Sequence, residues 1–363
     1  MEKLHFSNYP NAEKEILRYF SLLPAGKYEF SELYEMFGVK GNKSILIYSN
    51  KRFVSFILGF LKKLGLSSYE ENEQFIKKRF LSLLNTLAAK NILTKESKTH
   101  GNPTFSLENV LAEILREKLE VTVKNCSVLL VYIKNKIKTI YGNSSGKIKK
   151  HITIAEFISN HIKGEDDNLR ILNFILASRF REMADYKKSI HYSLKEIAIC
   201  EHDKNVNYAS LANSYYNLSL TYQKYGKMRK SLFFSEKALA IREMLLEKNH
   251  PWLANSYSNI ASAYRDLGEY AQALEYSLKE LQIKTAVLPK ENVELGRAYK
   301  NLAITYFHLK NFDKANEFIE KSSRILLNLS SQENLFPKNT KEVKRNINAI
   351  FERWQKLVAK QAN

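Results

Sequence analysis

In the second half of the chain, apolar residues recur every three or four positions in paired runs, each pair joined by a polar break. Within 253–267 they fall at Leu253, Tyr257, Ile260, Ala261 and Tyr264, one face of an amphipathic helix. Gly268-Glu269-Tyr270 interrupts the pattern, and Ala273, Leu274, Ser277, Leu278 and Leu281 mark a second helix. The pair recurs with a period of 42 residues. Leu169, Leu211, Leu253 and Leu295 share one column; Leu176, Leu218, Ile260 and Leu302 another; Phe180, Tyr222, Tyr264 and Tyr306 a third. Asn217, Asn259 and Asn301 share a fourth, and the small residues Ser189, Ser231, Ala273 and Ala315 a fifth, where two helices can approach closely. Gly226 and Gly268 stand where the first helix must stop, in a position suited to a left-handed turn residue. Ala184 and Lys310 hold that place in the first and last units. A helical hairpin of this kind buries its apolar face only by stacking on copies of itself. The spacing predicts four hairpins, over 168–207, 208–249, 250–291 and 292–327. Residues 328–363 follow, with a basic capping helix near 341–359 that carries Phe351 and Trp354 on one face.

Residues 1–120 lack the 42-residue period. Their pattern predicts a helix over 12–23 ended by Pro24, and a short one over 32–37 with Ser31 as N-cap and Gly38 as stop. Two amphipathic helices follow, over 51–64 and 75–90. Short apolar runs at 91–94 and 104–107 then flank KESKTHGNP, a stretch suited to a hairpin tip, before a last helix over 108–118. Helices closed by a hairpin are the order of a winged helix. Residues 121–167 read as a helical adaptor. It holds a helix over 126–141 striped by Val128, Leu129, Tyr132, Ile133 and Ile137, a flexible 142–146, and a helix over 152–162. The expected fold class is mainly α: an N-terminal winged-helix-like domain followed by an α-solenoid.

The repeat columns, clearest in HPWLANSYSNIASAYRDLGEYAQALEYSLKELQI (250–283), resemble the tetratricopeptide repeat in its 42-residue, kinesin-light-chain variety. That resemblance implies a right-handed superhelix whose concave groove is lined by the first helix of each hairpin. In its register the groove would carry Asn213, Tyr216, Asn217, Gln223 and Lys224, then Asn255, Ser258, Asn259, Ser262, Arg265 and Asp266. The fourth repeat would add Arg297, Lys300, Asn301 and His308. Asn217, Asn259 and Asn301 would form a ladder able to pair with the backbone of an extended peptide, because an amide both donates and accepts. The alternative is that each Asn bonds to the neighbouring hairpin. Lys224, Arg265, Arg297 and Lys300 would favour an acidic segment or a C-terminal carboxylate.

EKEILRYFSLLPAGKYEFSELYEMFG (13–38), LLNTLAAKNILTKE (83–96) and FSLENVLAEILREKL (105–119) resemble the winged-helix segment of bacterial STAND-type NTPases. The resemblance implies a segment that precedes a sensing repeat array. Phe105-Ser106 stands where such segments carry a Met-His pair, and 42–68 is a long insertion.

The 57 Lys and Arg against 38 Asp and Glu leave a net charge of +19, which raises the question of nucleic acid. The charge is spread, with a local excess at Lys134, Lys136, Lys138, Lys147, Lys149 and Lys150. A DNA-binding winged helix would use Lys77, Lys78, Arg79, Lys95 and Lys98. Phe75, Ile76, Phe80 and Leu83 mix with those cations, which suits packing better than groove reading. No phosphate loop is complete: GVKGNKS (38–44) has Asn42 at the second glycine, and GNSSGKI (142–148) is one residue short. His100, His151, His161, His191 and His202 show no metal-ligand spacing, and the carboxylates read as solvated helix faces. Cys126 and Cys200 read as buried reduced thiols. No cofactor, metal or catalysis is expected. The polar start MEKLHFSNYPNAEKE is no signal sequence and no apolar run spans a membrane, so a cytoplasmic protein is expected. The expected function is a protein or peptide interaction module, the sensor half of a STAND-like system. A DNA-binding regulator with a peptide-sensing array and a scaffold subunit are the alternatives.

Overall fold

A computed structural model describes residues 11–36, 81–82, 84–90, 92–96, 103–107, 112–113, 115–116, 119, 121–124, 126–139, 146–203 and 205–330, with the single positions 352, 356 and 360. The expected helix over 51–64, the 42–68 insertion, the residues Lys77, Lys78, Arg79 and Lys98, and the cap residues Phe351 and Trp354 lie outside the described residues. The chain is mainly helical and divides into two compact units, 1–179 and 180–363.

In the front unit, α1 (Asn11–Ser21) buries Ile16, Leu17, Tyr19 and Phe20. Arg116 Nη1 donates to the Ser21 carbonyl at 2.7 Å, satisfying one of the acceptors a helix end leaves open. A three-stranded antiparallel sheet follows in the order β1-β3-β2, from β1 (Tyr28–Glu29), β2 (Thr94–Glu96) and β3 (Thr104–Ser106). The fully buried Phe105 pairs with Tyr28 on one side and Lys95 on the other. The predicted hairpin is therefore present. The short helix α2 spans Phe30–Met36, so Ser31 lies inside it instead of capping it. It starts earlier because Phe30 is buried and its N–H bonds to the Pro103 carbonyl at 3.0 Å, leaving β1 directly in front.

Next come α3 (Ser127–Thr139), α4 (Gly146–His161) and α5 (Asp167–Glu182). Helix α4 starts at Gly146 and not at Ile152, so Lys149 and Lys150 belong to a helix and not to a loop. The basic excess here is partly consumed internally: Lys136 pairs with Glu35 at 2.5 Å, Lys150 with Glu32 at 2.7 Å, and Lys134 donates to Asn168 at 2.8 Å. Cys126 and Cys200 are both buried.

The second unit is a run of helices: α6 (Tyr186–His202), α7 (Tyr208–Lys224), α8 (Met228–Leu245), α9 (Pro251–Asp266), α10 (Tyr270–Val287), α11 (Val293–His308) and α12 (Phe312–Ser330). Helices α7/α8, α9/α10 and α11/α12 pair as hairpins, and each hairpin packs on the next through α8/α9 and α10/α11. The fifth column is fully buried at every repeat: Ser189, Ser231, Ala273 and Ala315 are all 0% exposed. The aromatic column has a partner column on the second helices. Phe180 stacks on Tyr192, Tyr222 on Phe234, Tyr264 on Tyr276 and Tyr306 on Phe318, with centroids 5.5–5.7 Å apart.

The aromatic column also closes the turns. The carbonyls of Phe180, Tyr222, Tyr264 and Tyr306 accept from the N–H groups of Asp185, Lys227, Glu269 and Asn311, each at 2.9 Å. Those are the six-to-one bonds of a Schellman cap. The residue before each donor is left-handed: Gly226 at φ 75° and Gly268 at φ 81°, but also Ala184 at φ 59° and Lys310 at φ 60°. The two units without glycine thus keep the same turn against the steric cost of a Cβ. Ala184→Gly and Lys310→Gly are each expected to raise stability by about 0.5–1 kcal/mol. Urea unfolding of the variants checks this; no gain at either position would mean that the turn strain is relieved elsewhere.

Candidate functional site

The first helices of the hairpins, α7, α9 and α11, adjoin one another and carry the expected groove residues. On α7, Asn213, Tyr216 and Asn217 are half-buried and Lys224 is exposed. On α9, Asn255 is exposed, Arg265 is half-buried and Asn259 is buried at 8% exposure. On α11, Arg297, Lys300 and His308 are exposed and Asn301 is half-buried. Lys95, of the expected nucleic-acid set, is exposed on β2.

The three ladder asparagines are in three different situations. Asn217 donates to the Asn213 carbonyl at 2.9 Å and its Oδ1 accepts from Arg181 Nη1 at 3.3 Å. Asn259 departs from the expected ladder: its Nδ2 donates to Ser219 Oγ at 2.9 Å, inside the contact between α9 and α7. The equivalent positions for Asn217 and Asn301 are Ala177 and Ala261, so of the three only Asn259 finds a buried hydroxyl there. The Asn301 amide makes no hydrogen bond among the described residues. Arg297 is held by Glu294 at 2.6 Å in an exposed pair, and His308 stacks on Tyr270 with centroids 4.5 Å apart.

Arg265 lies two repeats after Arg181 in register, as Asn301 lies two repeats after Asn217. Arg181 Nη1 donates to the Asn217 carbonyl at 3.0 Å as well as to its amide oxygen. Arg265 instead donates from Nη2 to Ser262 Oγ at 3.2 Å, and its Nη1 is buried with no partner among the described residues. Gln223, in the same column, bridges to Ser262 from the preceding repeat at 2.8 Å. Burial pulls the Arg181, Arg242 and Arg265 guanidinium groups below their usual basicity.

The second helices supply charge that the sequence pattern did not reveal. Arg242 on α8 is 4% exposed; it donates from Nη1 to Ser256 Oγ at 2.8 Å and the Trp252 carbonyl at 3.1 Å, and from Nη2 to Asn213 Oδ1 at 2.8 Å. One repeat later Lys284 occupies that position, 5% exposed, and pairs with Glu280 at 2.8 Å, itself 1% exposed. The reading of every carboxylate as solvated is thereby corrected: Glu280 is buried because Lys284 neutralises it, and Glu196 is buried with Ser214 Oγ donating to it at 2.5 Å. The signal lay in the column Cys200, Arg242, Lys284, Leu326, where an apolar residue at each end marks an inward position. Among the described residues no group of three His, Cys, Asp or Glu side chains could hold a metal ion, and no helix is long and apolar enough to cross a membrane.

Residues 230–286 and 252–328 match a family model described as tetratricopeptide repeat, and residues 212–243 match a second model of the same description. No curated protein matches the sequence. Among solved structures, the TPR-like repeats of a Podosopora anserina kinesin light chain are similar at 18% identity and a TM-score of 0.44, over 54% of this chain and 92% of that one. Aspartyl phosphate phosphatase F from Bacillus subtilis is similar at 12% identity and a TM-score of 0.45, over 94% of this chain and 84% of that one. The Rap conjugation gene regulator of plasmid pLS20, solved with a Phr peptide, is similar at 14% identity and a TM-score of 0.39, over 67% of this chain and 73% of that one. The stacked hairpins, the recurring turn and the matched family models agree on one point: residues 212–328 of this chain are tetratricopeptide repeats.

Proposed function

We propose that this protein is a non-catalytic interaction module whose repeat groove holds an extended peptide or a segment of a partner protein. The observation that carries this reading is the unmade pair Arg265 and Asn301. A buried guanidinium N–H without a partner is costly in a monomer, and a peptide carbonyl or carboxylate would satisfy it. Exposed Lys300 on the same helix as Asn301, with Lys224 on α7, favours an acidic segment. The front domain, 1–120, is read as a winged helix, supported by the β1-β3-β2 order and the helices around it. We read it as anchoring or relaying the groove event, in the manner of the sensor half of a STAND-like system, with 121–167 as adaptor and 328–363 as cap.

The two asparagines separate recognition from stability. Asn301→Ala is expected to leave stability within about 0.5 kcal/mol, since it removes no bond within the chain. The same substitution should weaken binding to an array of extended peptides about ten-fold, through the loss of a hydrogen bond near a charged group. Asn259→Ala should lower stability by about 0.5–1.5 kcal/mol by removing one buried hydrogen bond between α9 and α7, while the Ser219 hydroxyl keeps its bond to the Tyr216 carbonyl. If Asn301→Ala leaves peptide binding intact, or if duplex DNA binds with a steep salt dependence and peptides do not, the groove reading fails in favour of a DNA-binding regulator.

A further inference from the structure

The outward face of α8 breaks a pattern that the later repeats keep. On α10, Glu275 pairs with Lys279 at 2.6 Å, and on α12, Glu317 pairs with Lys321 at 2.5 Å. These are bonds between residues one turn apart, the usual way a helix face neutralises its own charge. Lys237 stands in the same 42-residue column as Lys279 and Lys321, but Phe233 takes the place of the two glutamates. Phe233 is 52% exposed, and the Lys237 ammonium lies 5.0 Å from its ring centre instead of against a carboxylate. Among the described residues neither Lys230 nor Lys237 makes an ion pair.

Phe233 belongs to a longer stripe. Lys230, Phe233, Lys237, Ala240 and Met244 follow one another at three and four residues along α8, all exposed, with Met244 at 75%. That is the spacing at which one helix meets another in a coiled coil. On α10 the same columns hold Gln272, Glu275, Gln282 and Ala286 around Lys279, where only Ala286 is apolar. Exposed apolar side chains scattered singly carry no message, but a row at seam spacing on one helix, replaced by polar residues on its neighbour, does. The two cations are positioned from α7: Lys230 Nζ lies 5.5 Å from the ring centre of Tyr222, and Lys237 Nζ 5.1 Å from that of Tyr215. Glu236 and Glu243 border the stripe, accepting from the Tyr264 and Tyr257 hydroxyls at 3.2 and 2.9 Å. These carboxylates would repel a continuous row of phosphates, so the mixed charge favours a polypeptide over a nucleic-acid strand.

We propose that the outward face of α8 docks an acidic amphipathic helix of a partner protein, lying along the stripe from Lys230 to Met244. The partner supplies the carboxylates that Phe233 displaced from this repeat. Lys230 and Lys237 are seven residues apart, about 10.5 Å along the axis, which is the separation of two carboxylates seven residues apart on the facing helix. Apolar side chains between those carboxylates meet Phe233, Ala240 and Met244. Ala240 lets the two backbones approach, and the unbranched Met244 adapts to what it meets. Apolar contact supplies the affinity, while the two charge pairs set register and orientation. The surface belongs to a second helix and shares no residue with the groove of the first helices, so the two sites are separate.

The test uses the full chain and an end-blocked fluorescent helical peptide of about three heptads, with Glu at every seventh position and Leu midway between, read by anisotropy. A second peptide carries Gln in place of each Glu. The Glu peptide is expected to bind about ten-fold more tightly at low salt, and to lose most of that advantage at high salt. Phe233→Glu installs the residue that α10 and α12 carry in this column, and the new carboxylate pairs with Lys237 inside α8. Its urea midpoint should match the parent, while affinity for the Glu peptide falls about ten-fold or more. Met244→Ala, the residue found at Ala286, should weaken binding about five-fold through lost apolar contact. Equal binding of the two peptides, affinity that survives Phe233→Glu, or no binding of the Glu peptide each overturns the proposal. A single-stranded oligonucleotide bound in preference to the Glu peptide, and released by Lys230→Gln with Lys237→Gln, overturns it in favour of a nucleic-acid surface.

Discussion

Replacing Glu280 with Ala is expected to cost about 3–5 kcal/mol, because it leaves the Lys284 ammonium buried without its counter-ion. The two groups are 1% and 5% exposed and 2.8 Å apart, one turn apart on α10. Glu294 lies 3.5 Å from the same ammonium but is half in solvent, so it compensates little. Removing both charges should be far milder. Glu280→Ala with Lys284→Leu puts at this repeat the residues that the same columns carry at Ala238 and Leu326, and most of the lost stability should return. Urea unfolding of the two single variants and the double variant measures the coupling. A single Glu280→Ala variant that loses under 1 kcal/mol would show that Lys284 reaches water when unpaired.

The same pair makes a pH signature. Burial pushes the Glu280 carboxyl above its ordinary value of 4.5, against the pull of Lys284. The folded chain therefore holds this proton more tightly than the unfolded chain. Between 4.5 and the higher folded value, this group's contribution to stability falls as pH rises. Glu280→Gln should abolish that slope, and a pH series of urea midpoints for both proteins would show the difference.

The repeat unit was legible because its columns are set by packing. A position that faces a neighbouring helix is constrained to be apolar or small in every copy, so Leu253 or Ala273 declares itself by recurrence. The turns were legible at Gly226 and Gly268 but not at Ala184 and Lys310, where the cap bonds hold a left-handed residue with a side chain. The site was harder to read, since a charged residue at a helical spacing looks the same whether it faces water or a neighbouring helix. Arg242 and Glu280 differ from exposed Lys237 and Glu275 only through what stands one turn away and one repeat away. The ladder showed the reverse effect. Asn217, Asn259 and Asn301 look identical in sequence, and their different situations arise from Arg181, from Ser219, and from an Arg265 that turns to Ser262. In the front unit, β1 escaped notice because two residues, Tyr28 and Glu29, are too few for an alternating pattern.

Because each hairpin touches only its neighbours, the middle of the array should be its most sensitive part. Ile260 is fully buried among Leu253, Ala254 and Ile283 of its own repeat and Leu239 of the preceding one. Ile260→Ala is expected to cost about 3–4 kcal/mol, the transfer of the lost methyl groups plus the cavity they leave. The loss falls partly on the coupling between α8 and α9, so the damage should extend beyond one hairpin. Leu302 is equally buried in the last repeat, packed with Tyr306 and Ala315. Leu302→Ala should cost a similar amount locally while sparing the preceding coupling. Two probes distinguish these effects in a Trp354→Phe background: Trp252 fluorescence reports the third repeat and far-ultraviolet dichroism reports all helices. Ile260→Ala should separate the two unfolding curves, with Trp252 leading, whereas Leu302→Ala should have dichroism leading. If both variants unfold with coincident curves, the interfaces outweigh the hairpins and the array behaves as one cooperative block. Ligand binding in the groove would then stabilise every repeat at once.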